Sequence, residues 1–190
     1  ATSTNSVTVF SEEKVLSEKT WKAERNQAET LLPTIREMLE EASINWDELT
    51  QILIINGPGS FTSLRVGVIT ANALAYSLGI PQYAVSTFEY YKKRLVESTE
   101  ATLILAAGKH RAYLEDEQIY AIEDIDSEGR TFYGDIPENL KENSISEENL
   151  KGFGATFLKV NFSEHEKQDQ IEPLYIQPAQ ITMSAKITGN

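Results

Sequence analysis

Apolar residues alternate with polar ones at the start of the chain. Residues 6–10 (SVTVF) place apolar side chains at every second position, and Glu12-Glu13-Lys14 reads as a turn into a second run over residues 15–21. This pattern predicts a β-hairpin. The period then changes: Leu31, Leu32, Ile35, Met38, Leu39 and Ala42 recur at helical spacing, with Pro33 expected to bend that helix or mark its first turn. After a polar break at Asn45, Asp47 and Glu48 comes Ile52-Leu53-Ile54-Ile55, an unbroken apolar run that predicts a strand buried on both faces. A glycine turn then leads into a helix over residues 61–78. A strand is expected at 82–85, followed by a helix reaching residue 97 in which Ser86 and Glu89 form a capping box. The order predicts an α/β chain with a largely parallel core sheet.

The second half reads differently. Residues 102–107 and 112–120 look like strands, 124–130 like a turn, and 137–146 like a polar loop. Residues 150–158 carry Gly152 and Gly154, and 173–181 are expected to close the folded part. Charge shifts at the same place. The chain holds 17 Lys plus Arg against 29 Asp plus Glu, a net of −12, and residues 97–172 account for −11 of it. Two small domains are therefore expected, residues 1–97 and an acidic 98–190. Clustered Lys and Arg bind phosphate backbones, so the acidic half should repel nucleic acid, and any service to RNA should pass through a partner.

At 190 residues the chain is long enough for a core that needs no disulfide or metal staple. It has no cysteine, which removes thiolate catalysis, Cys-ligated zinc and iron–sulfur clusters. The two histidines, His110 and His165, lie far apart in sequence and are expected at the surface. Residues 1–14 contain neither a basic nor an apolar signal region. Residues 66–88 are uncharged but are broken by Gly79 and Pro81; the part before the break is too short for a membrane span, so a buried helix is expected there.

Asn56-Gly57-Pro58-Gly59-Ser60-Phe61-Thr62 is the most distinctive segment, with Arg65 one turn further on. A glycine turn between a strand and a helix can present backbone N–H groups to an anion. It lacks the lysine of a Walker A loop, and Pro58 and Thr62 occupy the outer glycine positions of a hydrolase elbow around Ser60. A tight turn that simply needs glycine backbone angles explains the segment equally well. Downstream, Gly67, Ala71 and Ala75 form a stripe of small residues beside Leu64 and Val68. Such a stripe lets either a sheet or a second helix approach closely. Asp124, Asp126, Glu128, Gly129 and Asp135 imitate a calcium loop, but the strand-like flanks and the Asp in place of the closing Glu favour an acidic turn. No metal or cofactor is expected.

Residues 57–67 (GPGSFTSLRVG) closely resemble the GPGSFTGLRIG signature of the bacterial TsaB (YeaZ) family. Leu31-Leu32-Pro33, Ile80-Pro81 with Val85-Ser86-Thr87, Gly152-Phe153-Gly154-Ala155 and Pro173-Leu174-Tyr175-Ile176-Gln177-Pro178 resemble further family motifs in the same order. The resemblance implies an actin-like ATPase fold of two ribonuclease H-like domains. It implies a non-catalytic, cytoplasmic accessory subunit in making threonylcarbamoyl-adenosine beside the tRNA anticodon, with the chemistry in a TsaD subunit. A TsaE-like ATPase would join a larger complex, tRNA would be met only through that complex, and the chain alone would form a homodimer. Leu31, Leu32, Ile35, Leu64, Gly67, Val68 and Ala71 are the expected partner and dimer interface.

The sequence also departs from the family pattern. The family's opening strand and IDTS-type turn are absent, with Ala1 at the place of the Asp; Ala106-Ala107-Gly108 replaces an Asp-containing turn. Gln27 stands where many members have His, and Ser63 replaces a signature glycine. Losing both turn aspartates argues against the alternative, an independent ATPase or kinase-like enzyme binding phosphate at residues 57–62. A peptidase lacks a metal cluster and ranks behind both.

Overall fold

The structure is a computed structural model that describes residues 4–22, 26–97, 99–161 and 164–176; Ala1 and Gln177-Pro178 lie outside them. In chain order the elements are β1 (Thr4–Phe10), β2 (Val15–Lys22), α1 (Gln27–Ala42), β3 (Ile52–Gly57), α2 (Phe61–Leu78), β4 (Gln82–Ser86), α3 (Thr87–Arg94), β5 (Thr102–Ala106), β6 (Arg111–Leu114), β7 (Ile119–Ala121), β8 (Phe132–Asp135) and α4 (Phe153–Phe157). They form a β1-β2 hairpin, a β3-β4 pair, and a four-stranded sheet ordered β7-β6-β5-β8.

The parallel core pair expected from the first half's element order is β3-β4. Among the described residues only β3-β4 and β5-β8 run parallel, while β1-β2, β5-β6 and β6-β7 are antiparallel. Their connections are tight turns, which can join only antiparallel neighbours. The strand expected over 112–120 is one of these hairpins: Glu117 takes a left-handed φ of 64°, and Leu114 N donates to Gln118 O at 3.1 Å. The Tyr120 hydroxyl donates to Asp116 at 2.5 Å across this turn and holds the carboxyl below its usual range.

Three helix expectations change in detail. α1 runs without interruption through Pro33, so this proline does not mark a first turn. α3 stops at Arg94, because Leu95 leaves the helix to bridge Leu150. Only half of the capping box forms. Ser86 Oγ accepts from Glu89 N at 3.1 Å, while the Glu89 carboxylate lies 3.3 Å from His165 Nε2 and 3.8 Å from Lys93 Nζ.

The core does not stop at residue 97. Val85, Phe88, Tyr90 and Tyr91 pack in one cluster with Leu103, Leu105, Tyr113 and Tyr133. β5 alternates, sending Leu103 and Leu105 to that cluster and Ile104 to a second one with Phe132 and Leu140. The chain then returns to the first half: Lys151 N donates to Arg94 O at 2.7 Å, and the Tyr90 hydroxyl donates to Phe153 O at 2.7 Å.

Burial raises the pKa of Tyr90, Tyr113 and Tyr133, with Tyr133 pushed up to about 12. An unfolded tyrosine ionises near pH ~10, so the folded chain holds these protons more tightly. Stability should be intact below pH ~10 and fall as pH rises through the folded values. Denaturation midpoints measured up to pH ~12 should decline, and Tyr133→Phe should reduce the decline.

Candidate functional site

The signature turn is tied to the last described segment of the chain. Leu174 N donates to Asn56 O at 2.7 Å, and Asn56 Nδ2 donates to Glu172 O at 3.1 Å. Gly57 has a φ of 125°, and a Cβ there would lie 2.5 Å from Leu174 O. Glycine is thus required twice, by the backbone angle and by the close approach. From the other side, Thr87 Oγ1 donates to Pro58 O at 2.7 Å. Gly59, Ser60, Phe61 and Thr62 lie at the exposed surface. Ser63 Oγ donates to Ser60 Oγ at 3.2 Å, and Ser60 makes no side-chain cap hydrogen bond.

Arg65 is the single charged residue of α2, and it is engaged. Its guanidinium carbon sits 3.8 Å from the centre of the Phe61 ring, and Nε donates to the Tyr175 hydroxyl at 3.2 Å. The Phe61 and Tyr175 rings are 5.2 Å apart. Stacked on one ring and bonded to the other, Arg65 closes the turn over the chain's final strap.

Two residues missed by the sequence reading hold the rest of that strap. Asn72 Nδ2 donates to Ile171 O at 2.9 Å, and Ile171 N donates to Asn72 Oδ1 at 2.9 Å, so one amide side chain imitates a strand neighbour. Gln82, 1% exposed, donates through Nε2 to Asn72 Oδ1 at 2.8 Å and to Asp169 O at 3.1 Å. In sequence the signal was only two polar residues inside a long uncharged stretch.

The expected interface separates into inward and outward parts. Leu64, Val68 and Ala71 are buried within this chain, and a Cβ on Gly67 would meet Ile54 Cδ1 at 3.5 Å. The small-residue stripe seats α2 on β3. Leu31 and Ile35 are half-buried. Leu32 alone of the expected set is exposed, at 49%. The open face of α2 instead carries Ile69 at 66% and Tyr76 at 92% exposure. The helix ends at Leu78 before Gly79, as expected, but it is buried on one side only. No described helix is long and apolar enough to cross a membrane.

Elsewhere, His110 is exposed as expected, but His165 is not, with 14% of its side chain accessible beside Glu89. Asp126 Oδ1 accepts from Glu128 N at 3.1 Å within the acidic turn, and Asp135 belongs to β8. Among the described residues no group of three His, Asp or Glu side chains is placed to hold a metal ion. Ala106 and Ala107 lie at the end of β5, where Ala107 N donates to Arg111 O at 2.8 Å. Gln27 is buried at the start of α1.

A family model described as "TsaD: tRNA N6-adenosine threonylcarbamoyltransferase" matches residues 14–164. Over 83 residues the chain is 33% identical to the "tRNA threonylcarbamoyladenosine biosynthesis protein TsaB" of Bacillus subtilis, covering 44% of this chain and 36% of that protein. Over 148 residues it is 26% identical to the protein of the same name from Buchnera aphidicola, covering 77% and 64%. The chain belongs to the TsaB (YeaZ) family. It spans between about a third and two thirds of the length of these two curated relatives. Against "YeaZ from Pseudomonas aeruginosa" this TsaB-family chain superposes with a TM-score of 0.68 at 20% identity, covering 92% of this chain and 95% of that one. The likeness shows the actin-like, ribonuclease H-like α/β fold that the sequence implied.

Replacing Asn72 by Leu would leave the Ile171 N–H and C=O without their partners in a partly buried site. We expect a loss of about 1–3 kcal/mol in chemical denaturation. Tryptic cleavage at Lys167 should also become faster; an unchanged cleavage rate would show that Asn72 does not hold the strap.

Proposed function

We propose that this TsaB-family chain is a non-catalytic subunit that docks on a TsaD-like threonylcarbamoyltransferase and supports formation of threonylcarbamoyl-adenosine in tRNA. The observation that carries this reading is the open face of α2. Ile69 and Tyr76 stand out from a helix whose one charge is folded back over Phe61. Leu32 adds an exposed apolar side chain on α1, which packs beside α2. Monomers rarely leave such faces bare, and aromatic anchors dominate docking energies. The acidic 98–190 half supports a role in which tRNA is met through the complex. Without its partner the same face would pair with itself about a two-fold axis. A TsaE-like ATPase would join the larger assembly, and tRNA modification would place the protein in the cytoplasm.

The signature turn fits this role. Its backbone and Arg65 hold the strap and stack on rings, an arrangement that supports a structural use of residues 57–65 over an ATPase centre. The isolated chain is expected not to turn over ATP. A magnesium-dependent hydrolysis that disappears in Thr62→Ala or Arg65→Ala would overturn this.

Tyr76→Ala tests the docking face directly. At 92% exposure the residue contributes little to the fold, so monomer stability should stay within about 0.5 kcal/mol. Titration calorimetry with the TsaD-like subunit should show a loss of about 2 kcal/mol or more, roughly 30-fold in Kd. Glu142→Ala serves as the control. Unchanged affinity in Tyr76→Ala and in Ile69→Glu would put the interface elsewhere.

A further inference from the structure

Strand β2 pairs only with β1 among the described residues, so its other edge, eight residues long, faces outward. An unpaired edge presents a row of backbone N–H and C=O groups that a further strand can take up. Both faces of β2 are already covered. Ser17 Oγ donates to Met38 O of α1 at 2.6 Å, and Lys19 Nζ donates to Glu37 of α1 at 2.6 Å. On the opposite face Glu18 lies beside Gly154 of α4, where a Cβ would fall 2.6 Å from Glu18 Oε2. Only the edge is open.

The side chains along this edge decide what can pair with it. Glu18, Thr20 and Lys22 are exposed and alternate with the half-buried Lys19 and Trp21. Neither Glu18 nor Lys22 makes an ion pair among the described residues. Charges on an edge keep foreign strands away, but the order of these charges is self-complementary. When two copies of one strand pair antiparallel about a two-fold axis normal to the sheet, one residue meets its own counterpart and its flanks meet in reverse order. An axis through Glu18, Lys19 or Lys22 sets two like charges directly opposite each other, which destabilises a ladder. An axis through Ser17 or Trp21 brings no opposite charges together within β2. Thr20 is different. With the axis there, Glu18 faces Lys22 of the second copy twice over, and the carbon stem of Lys19 faces Trp21.

We propose that β2 is a self-pairing edge whose occupant is a second copy of this chain. The two strands run antiparallel with Thr20 on the two-fold axis and join the two β1-β2 hairpins into one four-stranded sheet. Backbone bonds supply the attraction, and the charges reject the shifted registers. The contact uses no residue of the open α2 face, so it stands whether or not α2 docks a TsaD-like subunit.

The chain has no cysteine, so one introduced thiol reports on the axis. In Thr20→Cys the two thiols lie directly opposite each other, at roughly the 4.5–5.5 Å Cβ separation of facing residues. Oxidised glutathione should convert this variant into a covalent dimer. In Lys22→Cys the thiols lie about 13 Å apart along the ladder, and no cross-link should form. Sedimentation velocity is run in the Tyr76→Ala background, which removes the anchor of the α2 face. It should still show a concentration-dependent dimer, with amide protection of residues 15–22 rising in step. Adding Lys22→Glu sets like charges opposite each other twice and should raise the dimer Kd about 10-fold or more. Adding Glu18→Lys to that variant reverses both signs and should restore the dimer. A monomer at every concentration in the Tyr76→Ala background would overturn the proposal. So would Thr20→Cys that does not cross-link, Lys22→Cys that cross-links equally, a dimer indifferent to Lys22→Glu, or a charge-reversed pair that fails to restore it.

Discussion

Helix α2 lies on β3 with little bulk between them, since Gly67, Ala71 and Ala75 face the sheet beside Leu64 and Val68. This close seating determines what its other surfaces can do. Its first turn reaches over the end of β3, where Gly57 allows the final strap to pass within hydrogen-bonding distance of Asn56. Its outer face is left with Ile69 and Tyr76. A bulkier stripe would lift the helix and separate the turn, the strap and the open face from one another. The signature turn, the most recognisable segment of the chain, thus serves first as a junction.

Polar side chains do work along this junction that strands do elsewhere. Asn72 offers one amide to both backbone groups of Ile171, and Gln82 ties that pair to Asp169. A buried backbone group needs a partner, and the strap finds some of its partners in side chains projecting from α2 and β4. The cost of leaving such groups unpaired exceeds the gain from making the bond, so the amides specify where the strap lies more than how tightly it is held.

Charge and core divide the molecule in different places. Net charge concentrates after residue 97, whereas the aromatic cluster of Phe88, Tyr90, Tyr91, Tyr113 and Tyr133 runs through that position. An acidic surface on one half and an apolar face on the other suit a chain that meets a protein partner on one side and stays away from phosphate on the other.

Much of this was legible in the sequence because it is local. Apolar period two announced β1 and β2, period 3.6 announced α1, and the signature residues announced the family and its fold. The glycines marked the turn, since φ is a property of single residues. What the sequence could not show is which face of a helix meets what. Leu64, Val68 and Ala71 form a stripe that suits a subunit or a sheet equally, and only the position of β3 decided for the sheet. Asn72 and Gln82 were two polar residues in an uncharged stretch, and their role came from residues about 90 to 100 positions away. Ile52-Leu53-Ile54-Ile55 promised burial on both faces, and in the structure all four are half-buried. Composition records how much a residue prefers burial; the neighbour that provides it comes from elsewhere in the chain or from another molecule.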